Sequence, residues 1–398
     1  MAEELTPLRG VRVLDLSQYL PGPYLTRLLA DLGADVIKIE SPKGDPARTL
    51  PPLAGDQSAS FSALNWGKRS AVIDLKTPLG VEVMRAMVAR VDVLVESFRP
   101  GVLGRLGLGW VELRAVNARL IYCSISGYGQ DGGLRDVAGH DLNYLARAGV
   151  LAMFGPRDGT PVVPGIQIAD LCGGALTAAV SVLAALLERS QTGQGRHLDI
   201  SMTRGAAQFL LMEAARREAG TPEPRGGGFL TGGLPCYRVY RTKDDRSMAL
   251  GALEPKFFIA FCERAGVPHL AVHGQVLGDD AAEAIRELED VFASRTQAEW
   301  VELLAGSDCC CEPVRTPEEA RADNDVGLNG VELAGLTVLA TDLGAPPATP
   351  THRDVPGLGQ HGRAVARDLG VDVALVDRAV AQGAMLAGFT GDDSSSAS

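Results

Sequence analysis

The chain has 398 residues, of which 46% are hydrophobic, 22% are charged and 5% are aromatic. These values are typical of globular α/β proteins and exclude a disordered, collagen-like or disulfide-scaffold chain. The 38 basic and 49 acidic side chains give a net charge of −11. Because the basic residues form no long block, the sequence predicts no nucleic-acid partner.

The amino terminus has no basic stretch followed by an apolar one, so the sequence indicates no secretory signal and predicts a cytoplasmic protein. The longest apolar run, residues 170–188, contains two glycines and falls just short of the about 18 to 20 apolar residues of a membrane span. We therefore expect a buried helix there and no membrane partner. The seven cysteines form no C-x-x-C pair, which favours reduced thiols and no metal site.

Short apolar segments alternate with helix-length segments over the first third of the chain. Strands are predicted at residues 11–16, 35–39, 71–75, 91–95 and 120–124, with helices at 22–30, 78–89 and 110–116. Strands separated by helices indicate parallel β-α-β units, as in a Rossmann-like α/β sheet. Sheets of this kind bind ligands beyond the carboxyl ends of their strands.

The turn after the first predicted strand lacks the common nucleotide-binding motifs. Residues 17–23 read SQYLPGP instead of G-x-G-x-x-G, which disfavours NAD and FAD. The chain also contains neither a P-loop nor the G-x-S-x-G elbow of α/β-hydrolases.

The pattern of the sequence changes after residue 200. We therefore predict a large Rossmann-like domain over residues 1–200. Residues 201–230 contain a helical stretch and a segment rich in Gly and Pro, which indicates a linker. Residues 231–318 predict a smaller α+β domain with strands at 237–240 and 248–250. Residues 319–398 are expected to return to the large domain, with a last helix at 363–369 and a disordered tail at 392–398.

Three side chains are candidates for acid–base chemistry. Asp170 directly precedes the predicted apolar helix, where a helix N-cap is the simplest explanation of a single Asp. Together with His140 it offers a carboxylate and an imidazole, and backbone N–H groups at the helix start could stabilise an oxyanion. Glu254 precedes a proline and is either a solvated residue or a carboxylate that orients the histidine.

Basic side chains flank several predicted strand ends: Lys68, Arg69, Lys76, Arg99 and Arg105. Any one of them is more often a solvated surface residue than a ligand contact. Several at the ligand-binding edge of a parallel sheet suit a polyphosphate, because Arg and Lys pair with phosphate oxygens.

Several segments read together resemble the family III CoA-transferases and, within them, the α-methylacyl-CoA racemase branch. They include ADLGADVIKIE at 30–40, VESFRPGV at 95–102, GYGQ at 127–130, AGHDLNY at 138–144, GLPCY at 233–237 and GALEP at 251–255. The resemblance implies the family III CoA-transferase fold and an interlocked homodimer in which each site uses two chains.

The resemblance also implies roles for individual residues. His140 and Asp170 are expected on opposite faces of the α-carbon of an acyl-CoA thioester, with Glu254 supporting His140. The CoA contacts carry over to Ile73, Asp74, Leu75, Lys76, Ser97, Phe98, Arg99, Arg105, Gly139, Asp141, Leu142, Asn143 and Tyr144.

The function implied is racemisation or epimerisation of 2-methyl-branched acyl-CoA thioesters, by α-proton removal and return through an enolate. No redox or metal cofactor is expected, and CoA is part of the substrate. The alternative is a CoA-transferase that moves CoA between carboxylic acids through an aspartyl-CoA intermediate on Asp170. A weaker third possibility is a non-catalytic acyl-CoA binder.

Overall fold

The computed structural model describes residue 4 and residues 6–333, 335–344, 347–349 and 354–389. The predicted tail at 392–398 lies outside the described residues. The strands are β1 (Arg12–Asp15), β2 (Asp35–Glu40), β3 (Leu53–Ala54), β4 (Gln57–Ser58), β5 (Arg69–Val72), β6 (Val93–Glu96), β7 (Ile121–Ser126), β8 (Arg196–Ser201), β9 (Tyr237–Arg241), β10 (Ser247–Gly251), β11 (Cys311–Pro313), β12 (Gly330–Leu333) and β13 (Leu336–Leu339).

The helices are α1 (Pro21–Asp31), α2 (Ala59–Asn65), α3 (Pro78–Val88), α4 (Val102–Arg105), α5 (Trp110–Val116), α6 (Asp141–Ala148), α7 (Thr177–Thr192), α8 (Met202–Ala207), α9 (Leu211–Glu218), α10 (Pro255–Ala265), α11 (Asp279–Ala293), α12 (Gln297–Leu304), α13 (Pro317–Ala322), α14 (Gly362–Asp368) and α15 (Val373–Ala381). A π-helix, Ala169–Leu176, runs directly into α7.

Six parallel strands form the main sheet, in the order β5-β2-β1-β6-β7-β8. The predicted α/β class with a Rossmann-like parallel sheet is therefore confirmed. From β1 the chain proceeds outward through β2 to β5, and it then returns to β6 and proceeds the other way. The strand order thus reverses between β1 and β6, which is where open α/β sheets place their ligands.

The edge strand β8 and the helix α15 are among the elements that the sequence analysis did not predict. The edge strand β8 reads RHLDIS and is only half-buried over most of its length, so it carries no apolar run. Helix α15 follows the helix that the sequence predicted to be the last. Its start is fixed by Asp372, whose carboxylate accepts the backbone N–H of Leu375 at 2.9 Å. Leu375, Val376 and Ala379 then bury one side of α15 in the core that also holds α3 and α14.

The π-helix and α7 form one continuous helix of 24 residues, Ala169–Thr192. In the described part of the chain it is the one helix long and apolar enough to cross a membrane, a test that core helices also pass. One side of α7 packs against β7 and β8. The expectation of a buried helix is wrong for the other side, where Val180 and Leu187 are 69% and 64% exposed.

Contacts between Cα atoms divide the chain into two compact units at places that differ from the predicted boundaries. The first unit holds the described residues up to Ala148, Gly165–Phe209 and the described residues from Asn329 onward, and the second holds Gly149–Pro164 and Leu210–Leu328. Residues 149–164 join the second unit through Arg225, whose guanidinium donates to the carbonyl oxygens of Pro156 and Gly159. Sequence patterns do not carry such long-range contacts.

The second unit is built on an antiparallel sheet in the order β11-β10-β9. One face of this sheet packs against α10, α11 and α12 around a buried aromatic cluster of Tyr240, Phe258, Phe261, Phe292 and Trp300. This is an α+β arrangement, as the sequence predicted for the smaller domain.

Candidate active site

A cavity of about 750 Å³ opens at the carboxyl ends of β1, β6 and β7. Its walls are formed by the segments that follow these strands and by the starts of α6 and of the π-helix. The residues that line it include Gln18, Tyr19, Ser97, Phe98, Arg99, Gly127, Tyr128, Arg135, Gly139, His140, Asn143, Tyr144 and Asp170. The cavity therefore lies at the reversal of strand order, the position expected for a ligand site.

The segment after β6 is tied to its surroundings on both sides. The Ser97 hydroxyl accepts the backbone N–H of Gln18 at 3.1 Å, which joins the loops after β1 and β6. The Glu96 carboxylate accepts the backbone N–H of Phe98 at 2.8 Å. The next residue, Arg99, is exposed and brings a positive charge to the cavity wall. A guanidinium there is suited to phosphate oxygens.

His140 is held at the start of α6 by a reciprocal arrangement. Its carbonyl oxygen accepts the backbone N–H groups of Asn143 and Tyr144, at 2.8 and 3.1 Å. The Asn143 side-chain oxygen in turn accepts the backbone N–H of His140 at 3.0 Å. The backbone of His140 is thus fixed while the residue itself stays exposed at the cavity.

The Tyr144 ring packs against the backbone of Gly127 and Gly139. Its hydroxyl donates to the carbonyl oxygen of Gly139, and its ring meets that of Tyr128 edge-on with centroids 5.3 Å apart. A Cβ at position 127 would lie 2.3 Å from the Tyr144 ring, so Gly127 is required by this close approach. Burial, with the charge of Asp170 adding to it, raises the pKa of Tyr144 to about 12, so the hydroxyl remains a donor at neutral pH.

Asp170 is the second residue of the π-helix, so the prediction that it precedes the helix is wrong. Its backbone N–H donates to a carboxylate oxygen of Asp141 at 2.9 Å. Burial, followed by the negative charge of Asp141, raises the pKa of the Asp170 carboxyl to about 7. A carboxyl with such a pKa can donate or accept a proton near neutrality.

Two glycines allow the π-helix to lie where it does. A Cβ on Gly205 of α8 would lie 1.9 Å from the carbonyl oxygen of Gly173 in the π-helix. Any side chain at position 205 would therefore push the two helices apart. Because Asp170 stands in the first turn of the π-helix, this contact helps to set its position.

The cavity brings together only part of the predicted site. His140, Asp170 and the predicted CoA contacts Ser97, Phe98, Arg99, Gly139, Asn143 and Tyr144 line it. The predicted contacts Ile73 to Lys76 follow β5 at the same edge of the sheet but two strands away from β1, and they lie outside the cavity wall.

Four further predicted residues also lie outside the cavity wall. Arg105 lies in α4 with its guanidinium close to Gly101. Leu142 is exposed on α6, and Asp141 contacts Asp170 through the helix start. Glu254 belongs to the second unit, where it immediately precedes α10.

Two of the basic residues suggested as phosphate contacts are structural instead. The Lys68 ammonium is fully buried and donates to Asp15, Thr26 and Asn65. Arg69 pairs with Asp35 and Asp368. The sequence interpretation failed for these two residues because Lys68 precedes β5 and Arg69 begins it, at the edge opposite the cavity.

Some residues that line the cavity belong to no sequence motif, and the sequence analysis did not predict them as site residues. Gln18 and Tyr19 follow β1, and Tyr19 has a positive φ of 63°, which is unusual for a residue other than glycine. Arg135 reaches the cavity from the loop before α6. Within the described residues, no three His, Cys, Asp or Glu side chains are grouped as a metal site would need.

Comparison with known proteins gives consistent results over most of the chain. The family profile described as CoA-transferase family III matches residues 8–362. The alpha-methylacyl-CoA racemase of Homo sapiens is 36% identical over 369 residues, covering 91% of this chain and 93% of that protein. The succinyl-CoA:glutarate CoA-transferase of Mus musculus is 33% identical over 384 residues, covering 92% and 87%. The crystal structure of a CAIB/BAIF family protein from Brucella suis is similar with a TM-score of 0.78 at 29% identity, covering 92% and 99%.

Proposed function

The chain belongs to CoA-transferase family III, and from this premise we propose that it racemises or epimerises 2-methyl-branched acyl-CoA thioesters. The observation that carries the proposal is that His140 and Asp170 line one cavity, with the pKa of Asp170 raised to about 7. The relatives named alpha-methylacyl-CoA racemase, at 36% and 38% identity, support the same reading.

The proposed reaction needs one base and one acid on opposite faces of the α-carbon. The base breaks the α C–H bond and takes the proton, while the electron pair moves into the thioester to give an enolate. The acid then delivers its proton to the other face, which forms the new C–H bond and inverts the centre. A carboxyl whose pKa is about 7 is present in both protonation states at neutral pH, so Asp170 can serve in either direction.

The surroundings of Asp170 suit the charge that develops on the enolate oxygen. The first turn of a helix presents backbone N–H groups without partners inside the helix, and these stabilise negative charge. The N–H of Asp170 itself is taken by Asp141, and that of Leu171 by the carbonyl oxygen of Gln167, so we assign this role to the other N–H groups of that turn. Arg99 and the Ser97 and Phe98 segment are proposed to hold CoA, as the family resemblance implies.

A CoA-transferase is the second candidate function, because relatives named as transferases match at 32% to 35% identity over more than nine-tenths of the chain. In that reaction the Asp170 carboxylate would attack the thioester carbonyl carbon and release CoA thiolate. The raised pKa of Asp170 is compatible with this reaction as well, because about half of the carboxyl is ionised at pH 7 and a more basic carboxylate is a better nucleophile.

We further propose a cytoplasmic homodimer that uses no redox or metal cofactor. Val180 and Leu187 on α7 expose an apolar face, although the other side of α7 packs on the sheet strands β7 and β8. A helix fixed to a sheet in this way cannot cross a bilayer alone, and a second copy is the occupant we assign to the exposed face. Val180→Arg should convert a dimer to a monomer in light scattering, and a monomeric wild-type protein would contradict the assignment.

The decisive test of the reaction is incubation of one pure enantiomer of a 2-methylacyl-CoA in heavy water without an acceptor acid. Deuterium at the α-position together with loss of optical purity is expected of a racemase. Transfer of CoA to an added carboxylic acid with the α-hydrogen retained would establish the transferase instead. Tight binding of the thioester with neither change would leave only a binder.

A further inference from the structure

Glu96 is a buried carboxyl residue that the proposed reaction does not use. It ends β6, is 5% exposed and does not line the cavity, whereas the three residues that follow it do. It is thus the last residue of the sheet before the segment Ser97 to Arg99.

The Glu96 carboxylate has one partner on each side. It accepts the backbone N–H of Phe98 at 2.8 Å, two residues along the chain. It also forms a hydrogen bond with the Ser124 side chain, which stands opposite it on the neighbouring strand β7. Both partners favour the ionised form of Glu96.

The hydrogen bonds continue from Ser124 to the edge of the sheet. The Ser124 oxygen lies 3.1 Å from Nε2 of His197 on β8, and the imidazole stacks on Trp110 with centroids 5.9 Å apart. Burial lowers the pKa of His197. A neutral imidazole can donate its Nε2 proton to the Ser124 oxygen, and the Ser124 hydroxyl can then donate its own proton to the Glu96 carboxylate. The hydrogen bonds thus run in one direction, from His197 through Ser124 to Glu96.

Burying an ionisable carboxyl group at this position costs free energy. Burial raises the pKa of Glu96 to about 7 against the two hydrogen bonds that lower it. Apolar residues of similar volume serve a core at least as well as a buried charged group. Its presence here therefore calls for a reason other than stability, and its hydrogen bond with the backbone N–H of Phe98 supplies one.

We infer that Glu96 is a positioning residue, whose carboxyl holds the backbone of Phe98 and so presents the Ser97 to Arg99 segment to the CoA part of the substrate. The inference rests on the proposed CoA thioester chemistry. Ser97 is at the same time fixed by Gln18, so the segment is held from two strands. Without Glu96 the backbone N–H of Phe98 would lose its hydrogen-bond acceptor. The backbone from which the Arg99 side chain extends would then be held less firmly.

The test compares Glu96→Ala with Glu96→Gln, because the Gln side-chain oxygen still accepts the Phe98 N–H. Asn117→Ala is the matched control, since it also deletes side-chain hydrogen bonds to the backbone, with Val88, Val91 and Arg119 at the opposite edge of the sheet. CoA itself is titrated calorimetrically into each full-length variant, well below its melting temperature. We expect Glu96→Ala to weaken CoA binding roughly tenfold and to raise KM for the thioester more than it lowers kcat. Glu96→Gln should stay within about threefold of wild type, and Asn117→Ala should bind CoA unchanged.

Three results would overturn the inference. One is a Glu96→Ala protein that binds CoA as tightly as wild type. The second is a Glu96→Gln protein as weak as Glu96→Ala, which would assign the effect to charge instead of position. The third is an equal loss in Asn117→Ala, which would assign it to general destabilisation. If wild type itself binds no CoA, the proposed function fails, and that result is separate from all three.

Discussion

The carboxylate of Asp141 accepts the backbone N–H of Asp170 at 2.9 Å. This single bond joins the start of α6, where His140 stands, to the first turn of the π-helix that carries Asp170. It also places a negative charge beside the Asp170 carboxyl, which adds to the effect of burial on its pKa. Asp141 therefore both connects the two candidate catalytic residues and tunes one of them.

Asp141→Asn separates these two effects. The amide oxygen can still accept the Asp170 N–H, but the charge is gone, so the pKa of Asp170 should fall from about 7. The limb of the kcat/KM pH profile that reports Asp170 should move to lower pH. An unchanged profile in a folded Asp141→Asn protein would show that Asp170 does not titrate in the rate-limiting step.

His140→Ala distinguishes the two candidate reactions. Loss of a positioned acid or base typically costs about 10² to 10⁴-fold in rate, so exchange of the α-proton with solvent deuterium should fall by that factor. The fold should be unaffected, because the backbone bonds at His140 do not use its imidazole. Retained CoA transfer to an acceptor acid in this variant would support the aspartyl-CoA route.

Asp170→Asn should bind CoA and lose turnover by a similar factor, and it should also change the pH dependence of stability. The folded-state pKa of Asp170 is about 7, against about 3.9 for an unfolded Asp. The folded wild type therefore binds the extra proton between these values and loses stability as the pH rises from 4 to 7. Asn cannot ionise, so the melting temperature of the variant relative to wild type should increase over that range. A difference that is constant with pH would contradict the raised pKa.

The parallel sheet and the ligand edge could be predicted from sequence because they depend on local patterns. Apolar segments and helix-length spacers indicated five of the six strands and the ligand-binding edge of the sheet. The reversal of strand order between β1 and β6, where the cavity lies, was seen only in the structure. The role of Asp141 and the burial of Lys68 depend on side chains brought together from distant segments, such as Lys68 with Asp15. The hydrophobic periodicity of a sequence contains no information about such contacts. From the sequence alone, a basic residue near a strand end is therefore interpreted as a ligand contact.

Replacing Lys68 by alanine should mainly lower stability, whereas replacing Arg99 by alanine should mainly weaken CoA binding. Although burial alone would raise it, the ammonium groups of Lys68 and Lys38 hold the pKa of Asp15 at about 2. Lys68→Ala removes the ammonium group that is paired with that buried carboxylate and should lower the free energy of unfolding by about 3 to 5 kcal/mol. Arg99→Ala removes an exposed side chain and should leave stability within about 0.5 kcal/mol while weakening CoA binding roughly tenfold.

Thermal unfolding and CoA titration on both proteins check this contrast. A Lys68→Ala protein with a normal melting temperature and impaired CoA binding would restore Lys68 as a phosphate contact.

Gly205→Ala tests whether the contact between α8 and the π-helix sets the position of Asp170. The added Cβ would lie 1.9 Å from the Gly173 carbonyl oxygen, so the helices must separate, at a cost of about 1 to 3 kcal/mol or more. Because Asp170 moves with the π-helix, kcat should fall even where the variant is fully folded. Gly104→Ala is the control, since this helical glycine has no atom within 4 Å of its added Cβ. If Gly205→Ala melts and turns over like Gly104→Ala, the close approach of the two helices does not constrain the site.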